Sequence, residues 1–500
     1  MKKVFLAVLI VFCAAAAYAG TYVDPLTGPT TNRDKIYPKF GTPLVQFDIS
    51  GEFDARGYYW DNFDMRNDSK ATPTVQHSYF RGWLDLWPKL KVGDTQLITK
   101  IQMVDQNPWA KFNQTVGNET FDKNYDVPNT TSKKNNISVE RAYIHHDFND
   151  KVSTDVGLMN GQTWGTTFQD YQMPRWRVLI QGMTPVGAVV GIYEKNTEVG
   201  SAIVEDSEKD DYNAYALGGI TKVGDFTIEP LFYYHVDSAF YRYLPVSTTT
   251  SRVISGQDGG SDGAKILYIS LASKGKVGSI GMEGEVCYKK YDVNNLTGTT
   301  TIAPSTPGGS PTVLTDIVDN DWVELGAYLN VWNVMDFGTV GGKFAYGNWD
   351  KKGGILKDAS GKYTGVGADF REDFKSNLIL GDEMPFGVAG SNVSQPEDLI
   401  GMTLLQPYIK GVKLGVDKLT GSASFGYIMS NQKDTVYEDA SAWEFDLGVQ
   451  YKLTDNFLYK IDGGYASISV DDDSQPANTK WANGDPDPIM CIKHEILLTF

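Results

Sequence analysis

The chain has 500 residues and a formal charge of −17, with 62 Asp and Glu against 45 Lys and Arg. This acidic excess excludes nucleic acid as a partner, because neutralising phosphate requires clustered Lys and Arg. Beyond the N-terminal segment no apolar run approaches the length of about 18 residues that a transmembrane helix needs.

A secretory signal peptide is predicted over residues 1–19. Two lysines precede an almost purely apolar run, and an A-x-A cleavage site ends at Ala19. The run is shorter than the roughly 20 residues that cross a bilayer, so export through the Sec pathway is favoured over a membrane anchor. Residues 20–43, rich in Pro, Thr and Gly, are predicted to form a periplasmic extension, with a short plug as the alternative.

The remaining chain, residues 44–500, is predicted to form one all-β antiparallel barrel. Segments of alternating polarity separated by turn residues are typical of β-strands. Eighteen such segments occur, and an even number returns the chain to the side on which it began. They span 44–60, 77–88, 95–104, 137–147, 152–160, 175–184, 188–195, 212–221, 225–236, 264–273, 278–291, 321–333, 338–349, 401–412, 420–430, 442–453, 456–469 and 491–500.

The connections between these strands alternate in length. Tight turns such as Val92-Gly-Asp94 and Thr454-Asp455 follow even-numbered strands, whereas mostly long polar loops follow odd-numbered ones. Segregation of this kind is typical of a transmembrane β-barrel with short periplasmic turns and long extracellular loops. A soluble sandwich has no physical reason to show it.

Alternation within the strands predicts which side chains point into the barrel. In the first strand, Val45, Phe47 and Ile49 alternate with polar residues. A charge facing lipid costs up to about 2–4 kcal/mol near the midplane, so the charged residues are predicted to face water. An eighteen-stranded barrel is too wide for side chains to fill, which argues against a soluble barrel of the opposite polarity. The candidate pore-lining residues are Asp48, Glu52, Asp54, Arg56, Arg81, Lys100, Glu283, Glu285, Lys289, Glu444, Asp446, Lys452, Lys460 and Asp462.

If the interior shares the acidic bias of the chain, the barrel will mildly prefer cations. The alternative is that the excess charge lies in solvated external loops.

Two cysteines, Cys287 and Cys491, remain after signal removal, on predicted strands that are not neighbours. Two free thiols facing the lumen are therefore predicted. The chain has no C-x-x-C-H haem motif, and no cofactor is predicted.

The final strand ends on Phe500, with Ile492, Ile496 and Leu498 on the same face. The signal peptide, strand alternation, loop asymmetry and terminal Phe together resemble the Gram-negative outer-membrane porin superfamily, from about Leu44 to the end of the chain. Two stretches, Gly51–Phe63 and Met183–Gly187, are similar to large single-chain deltaproteobacterial porins and to eighteen-stranded alginate-export barrels.

This resemblance implies passive diffusion of small hydrophilic solutes through an outer-membrane barrel, commonly a homotrimer. It implies that the barrel-assembly machinery recognises Phe500. It also implies that the third external loop narrows the pore, with Trp164, Phe168, Asp170 and Tyr171 as candidate constriction residues. Loops 105–136 and 350–400 are long enough to plug the barrel instead. Acidic runs at 205–206, 210–211 and 471–473 are predicted to be solvated, bridged by divalent ions to lipopolysaccharide, since they lack calcium-loop spacing.

The sequence bears on three other functions. An enzymatic barrel needs a His paired with a nucleophile or carboxylate at its rim, and the five histidines form no such constellation, so no enzymatic activity is expected. A sheath for a partner electron-transfer cytochrome has the same strands as a porin and stays open. A substrate-specific channel for a sugar or polymer predicts inward charges of one sign, whereas Glu52 and Asp54 are mixed with Arg56 and Lys100.

Overall fold

The computed structural model describes most of the barrel and parts of its loops. The described residues are 45–62, 77–103, 115–116, 119–120, 137–161, 164–169, 173–197, 212–237, 250–255, 264–302, 312–354, 356–358, 365–370, 374–383, 399–435, 437–470 and 485–500. The predicted signal peptide and extension, the three acidic runs, Asp170 and Tyr171 lie outside this set. Within it, no helix combines the length and the apolar character needed to cross a membrane.

Eighteen long antiparallel strands form one closed sheet, which confirms the predicted barrel. Each strand pairs with its neighbours in sequence, and the last pairs back to the first, from Glu52 opposite Thr499 to Asp61 opposite Met490. The strands are β1 Val45–Asp61, β2 His77–Val92, β3 Thr95–Met103, β4 Ile137–Asn149, β5 Val152–Gly161, β6 Met173–Thr184, β7 Gly187–Thr197, β8 Tyr212–Val223, β9 Phe226–Asp237, β10 Ala264–Val277, β11 Ile280–Ile302, β12 Thr312–Met335, β13 Gly338–Gly347, β14 Met402–Lys413, β15 Leu419–Ser430, β16 Ser441–Thr454, β17 Phe457–Ser469 and β18 Ile489–Thr499.

Short and long connections lie at opposite ends of the barrel, as predicted. At the short-turn end most hairpins close through two residues. In two of these turns the first residue is a glycine, Gly93 or Gly224, whose φ is near +60°. Glycine is suited to this left-handed conformation because it has no Cβ. The other end, the long-loop end, carries all the long connections. The turns at the short-turn end are 93–94, 150–151, 185–186, 224–225, 278–279, 336–337, 414–418 and 455–456.

The predicted ends of β11 and β12 were wrong. Both strands continue beyond the other strands as one long hairpin, in which Thr297–Ile302 pairs with residues 312–318. Thr, Val and Ile have high β-propensity, and both edges of the extension are covered. Thr250–Ser255 pairs with β11 and Leu356–Asp358 pairs with β12. The loops also contain short pairs that were not predicted: 115–116 with 119–120, 349–350 with 366–367, and 369–370 with 399–400.

The outer surface of the barrel is apolar around its circumference. A continuous apolar exterior of this extent suits lipid, because soluble monomers rarely expose contiguous apolar patches above a few hundred Å². Outward side chains that are 38–60% exposed include Phe47, Phe80, Val156, Ile180, Phe232, Leu271, Val286, Leu325, Phe425, Leu447, Ile461 and Ile492.

The last residue completes the seam between β18 and β1. The Gly51 amide donates to the Phe500 carbonyl at 2.8 Å, and the Phe500 amide donates to the Gly51 carbonyl at 3.0 Å. A Cβ at Gly51 would lie 2.4 Å from the Phe500 ring and 2.8 Å from the carbonyl oxygen of Asp85. Glycine at this position therefore allows the terminal ring to lie across β1.

We expect Gly51→Val to weaken barrel closure, because the added side chain must displace either the Phe500 ring or the β2 backbone. Overpacking of this kind costs about 1–3 kcal/mol. The heat-dependent mobility shift of refolded protein in SDS gels would report a lower unfolding temperature. Gly191→Val on β7 is the matched control, since a Cβ there meets open space. Equal losses in both variants would contradict the close contact at Gly51.

Candidate functional site

Inward side chains of β17, β18 and β1–β3 form a wall of alternating charge, here called the charged wall. Its members are Asp54, Arg56, Arg81, Asp85, Lys100, Lys460, Asp462, Lys493 and Glu495. The Arg56 guanidinium lies 2.9 Å from Asp54 and 3.8 Å from Glu495. The Lys100 ammonium lies 3.0 Å from Asp85 and also contacts Glu140 of β4. Each of these cations therefore lies between two carboxylates.

Aromatic rings hold the arginines of the charged wall in place. Arg56 lies over the Trp83 ring at 4.6 Å from its centroid, and Arg81 lies over Tyr58 at 4.9 Å. Arg81 also donates to the Tyr58 hydroxyl at 2.9 Å. The side chains of Arg56 and Lys460 remain 18% and 32% exposed, whereas Asp54 and Asp85 are buried.

Part of the predicted constriction loop lies inside the barrel. Residues 164–169, here called the first inward segment, cross from β5 to the wall formed by β8–β12. The Trp164 indole donates to the Glu229 carbonyl at 3.2 Å. The amide and hydroxyl of Thr166 donate to one carboxylate oxygen of Glu285 at 3.0 and 2.7 Å. Phe168 is fully buried.

A second segment, residues 374–383 of the long β13–β14 connection, also lies inside the barrel. The amides of Ile379 and Leu380 donate to the two oxygens of Glu444 at 2.6 and 2.8 Å. The Asn377 side-chain amide donates to Asp446 at 2.8 Å. This second inward segment therefore covers β14–β17, and two predicted pore-lining carboxylates hold it there.

The two inward segments meet through aromatic rings. The Phe168 ring lies 5.3 Å from Phe370, 5.6 Å from Phe374 and 5.7 Å from Tyr328 of β12, between centroids. These four residues are called the aromatic junction. Aromatic pairs in this distance range add about 0.5–1.5 kcal/mol beyond burial. The junction joins the segments into one layer that shields the wall from β8 to β17.

The interior is less polar than the alternation of the clearest strands predicted. Beneath the first inward segment, inward apolar side chains pack against Trp164, including Leu179, Val190, Ile192 and Leu231. A larger apolar cluster fills the long-loop end around the second inward segment. It includes Tyr58, Trp60, Met402, Leu404, Ile428, Ile468 and Ile489.

The other predicted pore-lining residues occupy different environments. Glu283 accepts hydrogen bonds from Tyr328 and Asn330 at 3.0 and 3.1 Å, and Lys289 lies 3.7 Å from Glu324. Asp48 and Glu52 lie on β1 nearer the short-turn end. Lys452 lies at the rim, where its ammonium lies 3.1 Å from Asp455 in the β16–β17 turn and lowers the pKa of that carboxyl.

Sequence reasoning missed a pocket of about 120 Å³ between the first inward segment and the wall. Arg177 donates to Glu194 at 2.6 Å, and the Tyr233 hydroxyl donates to the same carboxylate. The Nη1 atom of Arg177 has no hydrogen-bond partner among the described residues. The sequence Arg175-Trp-Arg177 could have indicated this pocket. If Trp176 faces outward, strand alternation directs both arginine side chains into the barrel. Other lining residues include Trp164, Tyr212, His235, Tyr268, Lys289 and Tyr291.

Cys287 and Cys491 are both buried and directed inward, and they form no disulfide with each other. Among the residues that the structure describes, no group of three or more His, Cys, Asp or Glu side chains is arranged to hold a metal ion.

No protein-family model and no curated protein sequence matches the chain. Among solved structures, Pseudomonas aeruginosa OccK8 (OprE) is 10% identical, with a TM-score of 0.45 over 90% of this chain and 98% of that one. Pseudomonas aeruginosa OpdQ is 10% identical, with a TM-score of 0.43 and the same coverage. A BenF-like porin from Pseudomonas fluorescens is 10% identical, with a TM-score of 0.41 over 90% of this chain and 99% of that one.

We expect Thr166→Val to loosen the first inward segment, because it removes a hydroxyl that donates to buried Glu285. A hydrogen bond to a charged group contributes about 1.5–3 kcal/mol, so amide hydrogen exchange in residues 164–169 should accelerate by roughly ten- to hundredfold. Ser270→Ala is the control, since Ser270 donates to the other oxygen of Glu285 from the wall. The same acceleration in both variants would show that the Thr166 contact does not hold the segment.

Proposed function

We propose that the protein is an outer-membrane porin that allows passive diffusion of small hydrophilic solutes and ions. A closed barrel with an apolar exterior is one of the two structures that can span a bilayer, because all backbone groups are paired within the sheet. The observation that carries the proposal is the charged wall. Four of its side chains, Arg56, Lys100, Lys460 and Glu495, remain 13–32% exposed, whereas the two inward segments shield the wall from β8 to β17.

The path proposed for solutes runs along the charged wall, between it and the aromatic junction. Charged groups of both signs suit passage of hydrated solutes, because no long run of one sign traps an ion. We propose a mild preference for cations. Its support is the acidic excess of the whole chain, which would act mainly at the pore mouths. Alternation of charge along the wall keeps the preference small.

The two inward segments weigh against the sheath alternative. A barrel that encloses an electron-transfer protein needs an interior wide enough for that partner. Here Phe168, Phe374 and Leu380 are buried inside the barrel against its own wall. The chain itself occupies space that a cytochrome would need.

We expect planar bilayers containing the refolded protein to show long-lived channels in a KCl gradient. Lys100→Glu should move the reversal potential further toward cation selectivity, because it leaves Asp85 and Glu140 beside a third carboxylate. Lys452→Glu at the rim is the matched control and should shift the potential less, since that side chain is half exposed beside the turn. Equal shifts would place the ion path away from the charged wall. Absence of conductance from folded protein would contradict the porin proposal.

A substrate-specific channel is a second candidate, favoured by the pocket beside the first inward segment. Aromatic side chains suit the C–H faces of a sugar ring. Arg177 offers an N–H group that has no partner in the described part of the chain and could donate to a carboxylate or hydroxyl oxygen. Saturable binding distinguishes such a channel from a general pore. A solute that blocks single-channel current at micromolar to millimolar concentration would show it.

We expect Tyr268→Ala to abolish that block, because Tyr268 lines the pocket beside Lys289. The equivalent change on another strand, Tyr143→Ala on β4, lies outside the pocket and should leave the block unchanged. A current that falls in proportion to solute size alone, with no saturable component, would leave the general porin as the function.

A further inference from the structure

Three rows of inward side chains cross β11–β14, and the cross-strand register aligns each of them. The row beneath the inward segments is Glu285, Tyr328, Ala345 and Leu404, and all four side chains are buried. Two residues nearer the short-turn end, the row consists of Glu283, Asn330, Lys343 and Gln406. After two more residues it consists of Gly281, Trp332, Gly341 and Tyr408. This third set is here called the aromatic row.

Each ring of the aromatic row lies across a glycine of the neighbouring strand. A Cβ at Gly281 would lie 2.2 Å from the indole of Trp332, and a Cβ at Gly341 would lie 2.5 Å from the phenol ring of Tyr408. One face of each ring therefore lies against the wall, and the other faces the interior. Both side chains are partly exposed. Since neighbouring strands are about 4.8 Å apart, the rings on β12 and β14 lie roughly 10 Å apart.

The row beside these rings supplies hydrogen-bonding groups. The Tyr408 hydroxyl donates to the Asn330 side-chain oxygen at 3.0 Å, and the Asn330 amide donates to Glu283 at 3.1 Å. The Glu283 side chain is 19% exposed, and Lys343 is partly exposed. Asn330 thus fixes the orientation of Tyr408 and Glu283, while an acceptor carboxylate and a donor ammonium border the rings.

Open aromatic faces beside hydrogen-bonding groups suit a sugar. The face of an aromatic ring is negatively polarised and attracts the C–H groups of a pyranose ring, whose hydroxyls then point sideways. Ligand sites combine aromatic surface with a few polar groups that fix orientation.

Packing across a glycine also stabilises a sheet, but that role needs no open ring face. Tyr328 in the first row is stacked on Phe168 and buried, so it offers no such face. Trp332 and Tyr408 remain partly exposed. The Lys410 ammonium lies 5.4 Å from the Tyr408 centroid, on a long exposed side chain that can move aside.

We propose that the aromatic row binds a neutral oligosaccharide, with one sugar ring on Trp332 and another on Tyr408. Sugar hydroxyls donate to Glu283 and accept from Lys343. A neutral sugar suits the row better than an acidic one, because Glu283 repels a carboxylate placed beside the rings. The site is separate from the pocket beside the first inward segment. The inference concerns binding, and it holds or fails whether or not the barrel conducts.

Isothermal titration calorimetry on the full-length protein, refolded in a detergent without a sugar headgroup, tests the proposal. The probes are maltohexaose, cellohexaose and mannohexaose, and the wild-type protein should bind at least one of them saturably. Trp332→Ala should weaken that binding by roughly tenfold or more, because a ring face and its buried area are lost. Trp176→Ala is the matched control, since Trp176 is 64% exposed on the outer surface, and it should bind like wild type.

Gly281→Ala separates sugar binding from a packing role of the tryptophan. The added Cβ must lift the indole from the wall, so the affinity should fall although Trp332 is retained. Gly191→Ala, whose Cβ meets open space, should leave the affinity unchanged. Trp332→Phe keeps a ring face and should bind the sugar more tightly than Trp332→Ala.

Absence of saturable binding of all three sugars to the wild type would overturn the proposal, and so would equal affinities of the wild type and Trp332→Ala. Loss of binding in Tyr268→Ala but not in Trp332→Ala would place the sugar in the pocket instead. If Trp332→Ala does not fold, Tyr408→Ala replaces it: weaker binding supports the aromatic row, and unchanged affinity overturns it. Planar-bilayer conductance, measured separately, decides whether the barrel is a porin.

Discussion

Closure of the backbone ladder between β18 and β1 is the constraint on which the rest of the structure depends. In hydrocarbon an edge strand would leave a row of unpaired N–H and C=O groups, each costing several kcal/mol. The seam from Glu52 to Asp61 removes that edge. Once the sheet is closed, alternate side chains must face lipid or the interior, and the polarity of every strand follows.

The position of the two inward segments depends on buried carboxylates of the barrel wall. A chain segment buried inside a barrel needs partners for its backbone polar groups. Glu285 accepts from the first inward segment, and Glu444 accepts from the second. On the charged wall, by contrast, Asp54 and Asp85 pair with side-chain cations. Inward acids that look equivalent in sequence thus either anchor loop segments or pair with cations of the barrel wall.

The strands could be predicted because lipid and water impose opposite demands on alternate residues, as at Phe47 and Asp48. The ends of β11 and β12 could not, because their outer parts extend past the neighbouring barrel strands and pair with short loop strands. Likewise, Phe168 and Ile379 lie in connections without periodicity, and their burial depends on partners far away in sequence. Lys452 fits the alternating pattern of β16, but the adjacent turn places it at the rim.

The contact between Phe168 and Phe374 makes the two inward segments mechanically interdependent. Withdrawal of either segment would expose the apolar rings of the other to water, so small independent displacements are disfavoured. The layer should therefore move as a unit between a few discrete arrangements rather than by gradual widening. With the conduction proposed above, this would appear in a single barrel as steps between defined current levels, whereas two loops that move independently would give gradual changes in current.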